Sequence, residues 1–283
     1  MKVATLILYC LALLVAKAAA LRYHRRVGIP TATKIRQQET SMRIAGGLVS
    51  YRGEHPFFAG LLITLKSDEI SVCGGALVSN IYVVTIGQCW YDGESEGKKM
   101  EVVLGTNSLF NGGIRNYADW TMLHPEYDPD YLVNDVALVR IPTVIGNISD
   151  YIRTIKLPGY YASDLFEGRL AQVIGLGKTS SGNGNASTSL RDAYVKVIKN
   201  TDCLPYYGTA VKYFSGFMCT SGAKNKGACG GDYGGPLILR RYSSGQDLLI
   251  GLVSATSAAG CNTGDPTGYT RITSIVRWLH SYV

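Results

Sequence analysis

The chain has 283 residues, of which 46% are hydrophobic and 17% charged, and carries a formal net charge of +7. That is enough apolar residue for one large core or two half-size ones, and it excludes a disordered chain. The distribution of the positive charge argues against a nucleic-acid-binding face: residues 1–43 hold eight basic residues and one acid, Glu39, so from Ile44 onward 20 basic residues face 20 acidic ones.

In chain order, Lys2 precedes an uncharged, mostly apolar run from Val3 to Ala16 and then Ala18-Ala19-Ala20. This pattern is expected to be a secretory signal peptide over residues 1–20, too short for a membrane span. No later stretch is long and apolar enough to cross a bilayer, so a secreted, extracellular protein is expected. Residues 21–43 are polar and basic, lack cysteine, and read as a flexible propeptide. From Ile44 short runs of β-branched and aromatic residues recur between Gly, Asn, Asp and Pro, among them "FFAGLLITL", "MEVVLG", "DVALVRI", "LAQVIGLG" and "LLIGLVSAT". Such spacing predicts an all-β barrel or sandwich. "PGYYASDLFEG" suits a connector between two halves, near 44–158 and 159–283, and "KTSSGNGNASTS" an exposed loop. Ile272, Ile275, Val276 and Leu279 fall at i, i+3, i+4 and i+7, the stripe of a C-terminal amphipathic helix.

Cys10 lies in the leader, leaving Cys73, Cys89, Cys203, Cys219, Cys229 and Cys261. An even count in an exported chain implies disulfides, and no C-x-x-C pair suggests zinc. No metal or cofactor is expected. Two sequons, at Asn147 and Asn185, lie in loop-like stretches and are candidate glycosylation sites.

The motifs together resemble the chymotrypsin-like serine protease family over nearly all of residues 43–283. "RIAGG" at Arg43–Gly47 resembles the activation site, "CGGALVSNIYVVTIGQC" the histidine segment, "NDVALVRI" the aspartate segment, and "CGGDYGGP" the nucleophile loop. The resemblance implies two six-stranded antiparallel β-barrels with a cleft between them and a short C-terminal helix. It also implies the pairs Cys73–Cys89, Cys203–Cys219 and Cys229–Cys261, an arrangement common in arthropod members. A trypsin-like protease would cut after Arg43, and the freed Ile44 ammonium would pair with Asp232. Gly231 would supply an oxyanion-hole N–H.

Two positions depart from the family's chemistry. In that chemistry a hydroxyl attacks a carbonyl, an imidazole takes its proton, and a carboxylate orients the imidazole. Gln88 stands where the histidine is expected, and its amide has no proton affinity near neutrality. Tyr233 stands where the serine is expected, and a phenol is neutral at pH 7. Asp135 keeps the aspartate position and could accept a hydrogen bond from Gln88. The histidines His24, His55, His124 and His280 lie outside the catalytic motifs, with His55 and His124 expected in surface loops. Gly227 and Ala228 form the floor of the implied specificity pocket, and Thr256 and Thr267 its walls, giving a narrow pocket with no carboxylate for a Lys or Arg side chain.

The expectation is therefore a secreted, monomeric serine protease homologue that is not an enzyme. Its role would be binding, regulatory or inhibitor-decoy. Its partners would be protease inhibitors, active proteases or a cascade component, with no nucleic acid or membrane partner. A clip-domain cofactor is disfavoured, because residues 21–43 contain no cysteine. The alternative is a secreted digestive endopeptidase, as family resemblance alone would suggest.

Overall fold

The computed structural model describes residues 23–45, 53–142, 150–160, 162–177, 189–208, 215–243, 245–257, 260 and 263–283. The expected signal peptide, Gly47, Cys261 and both sequon asparagines, Asn147 and Asn185, lie outside these residues. Among the described residues, no helix is long and apolar enough to cross a membrane.

The first sheet contains β1 (Phe58–Leu65), β2 (Ile70–Leu77), β3 (Tyr82–Thr85), β4 (Gly97–Leu104), β5 (Ile114–Tyr117), β6 (Trp120–Leu123) and β7 (Ala137–Arg140), in the order β5-β4-β1-β2-β3-β7-β6. β1 is apolar almost throughout and buried at every position but Thr64, as a strand packed on both faces must be. Seven strands stand here where six are expected, and the extra one is a bend. β5 pairs with β4, and β6, two residues on, pairs with β7 at the opposite edge. Between them the Ala118 N–H bonds the Met100 carbonyl and the Asp119 N–H bonds the Arg140 carbonyl. Residues 114–123 thus act as one broken strand that joins both edges of the sheet.

The second sheet is a closed barrel of six antiparallel strands, ordered β10-β13-β12-β11-β8-β9. They are β8 (Leu170–Gly175), β9 (Arg191–Ile198), β10 (Phe217–Thr220), β11 (Pro236–Ser243), β12 (Gln246–Ala255) and β13 (Thr267–Arg271). One turn of helix, α2 (Leu204–Tyr207), precedes β10, and the terminal helix α3 (Ile272–Leu279) buries Ile272, Ile275, Val276 and Leu279.

Residues 23–43, read from composition as part of a flexible propeptide, are helical. From Tyr23 the chain is helical, with a π-helical turn at His24–Gly28 running into α1 (Ile29–Ala45). Pro30 has no N–H to give to an i−4 carbonyl, which fits a widened turn just before it. Tyr23, Val27, Thr31, Ile35 and Glu39 recur at every fourth position and so share one face. Tyr23, Thr31, Ile35 and Glu39 are buried against the β-domain. Helical stability in such a segment comes from docking rather than from local propensity. A composition-based reading cannot register that contribution.

The barrels meet at two glycines. A Cβ on Gly74 would lie 2.9 Å from the Gly235 Cα, so the β2 backbone can approach the 229–235 loop only without a side chain there. Across this contact the Gly74 N–H donates to the Tyr233 carbonyl at 2.8 Å, and the Thr85 hydroxyl donates to the Gly74 carbonyl at 2.7 Å. The loop bearing Tyr233 is thereby fixed to the first sheet.

Candidate functional site

Gln88 lies in the short 3-10 turn Gly87–Cys89 that follows β3, tied to β2 by the Cys73–Cys89 disulfide. Asp135 lies two residues before β7 and is completely buried. The structure brings the two together. The Gln88 backbone N–H donates to Asp135 Oδ1 at 2.9 Å, and its side-chain Nε2 donates to Oδ2 at 2.7 Å. The same Nε2 donates to the Ser254 carbonyl at 3.0 Å, while the Ser254 hydroxyl donates to Asp135 Oδ2 at 2.6 Å. From the second barrel the Thr270 hydroxyl holds the Asp135 carbonyl at 2.7 Å. Burial pushes the Asp135 carboxyl up to about 6, opposed by the Ser254 and Gln88 donors. Those donated hydrogen bonds offset part of the cost of placing a carboxylate in the interior.

Ser254 was not singled out from sequence. It lies 119 residues from Asp135 and its bond joins two barrels, so no local pattern marks it.

Tyr233 is half-buried and packs against the core. Its hydroxyl meets the Thr256 hydroxyl at 3.2 Å, and burial raises its pKa above the usual phenol value. The group is a neutral hydrogen-bonding phenol with no adjacent base among the described residues. Gly231 adopts a φ of 105°, a conformation open chiefly to glycine, in the turn where the Asp232 N–H donates to the Cys229 carbonyl at 3.0 Å.

Asp232 directs its carboxylate at backbone donors: Gly177 N–H at 2.6 Å and Cys229 N–H at 2.8 Å. Burial pushes it up to about 6. Arg43 and Ile44 are within α1, so the chain is continuous here and Ile44 carries no free ammonium.

Gly227, Ala228 and Thr267 line a cavity of about 230 Å3 that also includes Asp232 and Ser257. The Thr267 hydroxyl accepts the Ala228 N–H at 3.1 Å, and a Cβ on Gly227 would come within 2.8 Å of it. Thr267 therefore stands at the wall beside the floor residues. Thr256 is placed differently, against Tyr233.

The Cys73–Cys89 and Cys203–Cys219 disulfides are present, and Cys229 is disulfide-bonded. His55 is not a surface-loop residue. It is buried, and its Nε2 meets Asp192 Oδ2 at 3.0 Å, joining the strand-leading segment before β1 to β9. Glu54, His55 and Asp192 each place a ligand atom within 4.8 Å of the others, so this trio could hold a cation. His124 is partly buried with its ring 5.0 Å from that of Trp278.

Two β-bodies with Gln88, Asp135 and Tyr233 converging where they meet define a chymotrypsin-like serine protease domain. The chain belongs to the trypsin family, whose pattern matches residues 44–279. It is 35% identical over 238 residues to collagenase from Hypoderma lineatum, covering 84% of this chain and 86% of that protein. Brachyurin from Leptuca pugilator is 30% identical, with 84% and 97% covered. A solved structure of HL collagenase matches with a TM-score of 0.72 at 33% identity, covering 83% of this chain and 96% of that one.

These relatives correct one expectation drawn from the sequence. Collagenase, brachyurin and a chymotrypsin-like elastase family member of Rattus norvegicus are named as proteases. The comparisons thus point to an enzyme family and give no support for setting the chain outside the enzymes.

Proposed function

We propose that this chain is a secreted member of the family whose cleft works by binding protein segments, in a regulatory or inhibitor-decoy role. The observation that carries this reading is the donation from Gln88 Nε2 to Asp135 Oδ2 at 2.7 Å. The carboxylate that would orient an imidazole is committed to an amide, and an amide takes no proton from a hydroxyl. Beside it, Tyr233 shares its hydroxyl with Thr256. What this arrangement retains is shape: a stapled loop, a glycine at the oxyanion-hole position, and a cavity with a threonine at its wall.

Secretion fits the disulfides, which persist in oxidising compartments, and the apolar leader at residues 3–16. Cleavage after Arg43 by a trypsin-like protease, with Ile44 pairing to Asp232, belongs to the same reading.

The relatives are named for proteolytic enzymes, so a secreted endopeptidase is the second reading, and one experiment separates the two. Arg43-cleaved protein is incubated with a serine-directed fluorophosphonate and mixed peptide substrates, and separately with protein inhibitors of chymotrypsin. Stable inhibitor complexes without labelling are expected. Turnover well above background, abolished by the fluorophosphonate, would establish the endopeptidase instead.

A further inference from the structure

We propose that residues 23–39 are an intrachain ligand of the cleft, which keeps protein partners off it until this segment is released. The inference rests on the reading of the cleft as a protein-binding site and adds its regulation.

The face repeating every fourth residue lies along the site. The Tyr23 ring packs on the Tyr233 ring with centroids 4.7 Å apart, and its hydroxyl donates to the Val72 carbonyl. A Cβ on Gly230 would come 3.8 Å from Val27 Cγ1, and one on Gly231 would come 2.8 Å from Thr31 Cγ2. The segment thus lies over Tyr233, at the nucleophile position, and over Gly231 beside it, the ground that any partner entering the site must occupy. Ile35 is 1% exposed.

Both ends are fastened by polar contacts. At the start, the His24 N–H donates to Asp92 Oδ2 at 2.9 Å, and His24 Nδ1 meets the Ser71 hydroxyl at 2.8 Å. At the far end, the Glu39 carboxylate accepts the Leu109 N–H at 2.7 Å, the Phe110 N–H at 3.0 Å and Asn111 Nδ2 at 2.7 Å. Glu39 is the one acidic residue in the first 43, and it is spent on three donors of a loop in the first sheet. Charge-assisted bonds of this kind are stronger than neutral ones. Residues 21–43 contain no cysteine, so after a cut at Arg43 non-covalent contacts alone would hold the segment. Release is then a dissociation, separable from the cut.

The test uses the full chain and two substitutions in the segment, neither in a barrel. Thr31→Arg forces a long charged side chain against Gly231, and Glu39→Gln keeps the shape but weakens the distal clamp. Amide hydrogen exchange at Leu109 and Phe110 is expected to quicken at least tenfold in Thr31→Arg and less in Glu39→Gln, with β11 and β12 amides unchanged. Surface-immobilised protein inhibitor of chymotrypsin is expected to capture Thr31→Arg and to leave the uncleaved wild-type chain in solution. Unchanged exchange in both variants, or capture of wild type as tight as that of Thr31→Arg, would overturn the proposal. Faster exchange in the variants, with no capture of either them or the Arg43-cleaved chain, would instead overturn the binding role of the cleft itself.

Discussion

Gln88 donates its side-chain amide to Asp135 at 2.7 Å, across a contact in which the carboxylate is completely buried. Asp135 is thus satisfied by an amide, a serine hydroxyl and a backbone N–H, with no titratable partner bonded to its side chain among the described residues. Removing the amide while keeping its bulk should expose that dependence. Gln88→Leu leaves one carboxylate oxygen short of a donor, which costs roughly 1–3 kcal/mol for a buried polar group. Gln246→Leu, at an exposed position, should stay within about 0.5 kcal/mol of wild type. Denaturant midpoints at constant m value compare the two. A Gln88→Leu midpoint equal to that of Gln246→Leu would show that Asp135 does not need the amide.

Asp135 and Asp232 should each leave a signature in the pH dependence of stability. Burial pushes both carboxyls up to about 6, above the ordinary value of 3.8. Between those limits the native state binds more protons than the unfolded state, so these groups make stability fall as pH rises from about 4 to about 6. A shift of two units corresponds to about 3 kcal/mol per group. His24 acts in the opposite sense. Burial lowers it from 6.5 to about 4, so its contribution is present above pH 6.5 and is lost as pH falls toward 4. The Asp135 part is isolated by difference. Asp135→Asn should show a shallower fall between pH 4 and 6 than wild type, keeping only the Asp232 share, and parallel stability curves for the two proteins would refute the assignment.

The strands, two disulfides and the α3 stripe were legible because each is a local or family-spaced signal: alternation in "MEVVLG", paired cysteines, and Ile272 with Val276 four residues on. The positions of Gln88, Asp135 and Tyr233 could be read for the same reason. The helical segment from Tyr23 to Ala45 could not. Its inner face mixes Tyr23, Val27, Thr31, Ile35 and Glu39, with Gly28 and Pro30 between them, so no apolar stripe appears until the surface beneath is known. The placement of Thr256 against Tyr233, and of His55 against Asp192 137 residues away, likewise depends on how the two barrels meet.

The helical state of the Arg43–Ile44 bond sets how fast it can be cut. Proteases act on extended chain, and α1 continues to Ala45, so the last turn must open first. When opening is fast relative to cleavage, the rate follows the open population. Ser41→Gly lowers helix propensity by about 0.5 kcal/mol, which enlarges that population roughly 2-fold. Cleavage after Arg43 by dilute trypsin, followed by mass spectrometry, should quicken by the same factor. An unchanged rate would mean that the bond is already presented in an open form.

Restoring the family's chemistry tests the pocket. In Gln88→His/Tyr233→Ser the imidazole would lie beside Asp135 and the hydroxyl would follow Asp232. The Arg43-cleaved double variant should therefore take a fluorophosphonate label on that new hydroxyl, in the peptide that follows Asp232, where wild type takes none. Substrate choice should still be limited. The Thr267 hydroxyl sits beside the Gly227–Ala228 floor, and no floor carboxylate is available to a basic side chain. Peptides with small side chains before the cut bond should be preferred over those with Phe or Arg. Adding Thr267→Gly removes the branched side chain from the wall. Relief of about one or two carbon atoms of obstruction is worth roughly 1–3 kcal/mol, or about 10- to 200-fold in kcat/KM on a Phe substrate. Arg substrates should gain far less, because neither floor residue, Gly227 or Ala228, carries a carboxylate. If the double variant already turns over Phe or Arg substrates as readily as small ones, Thr267 does not form the wall, and the cavity beside Asp232 is not the specificity pocket.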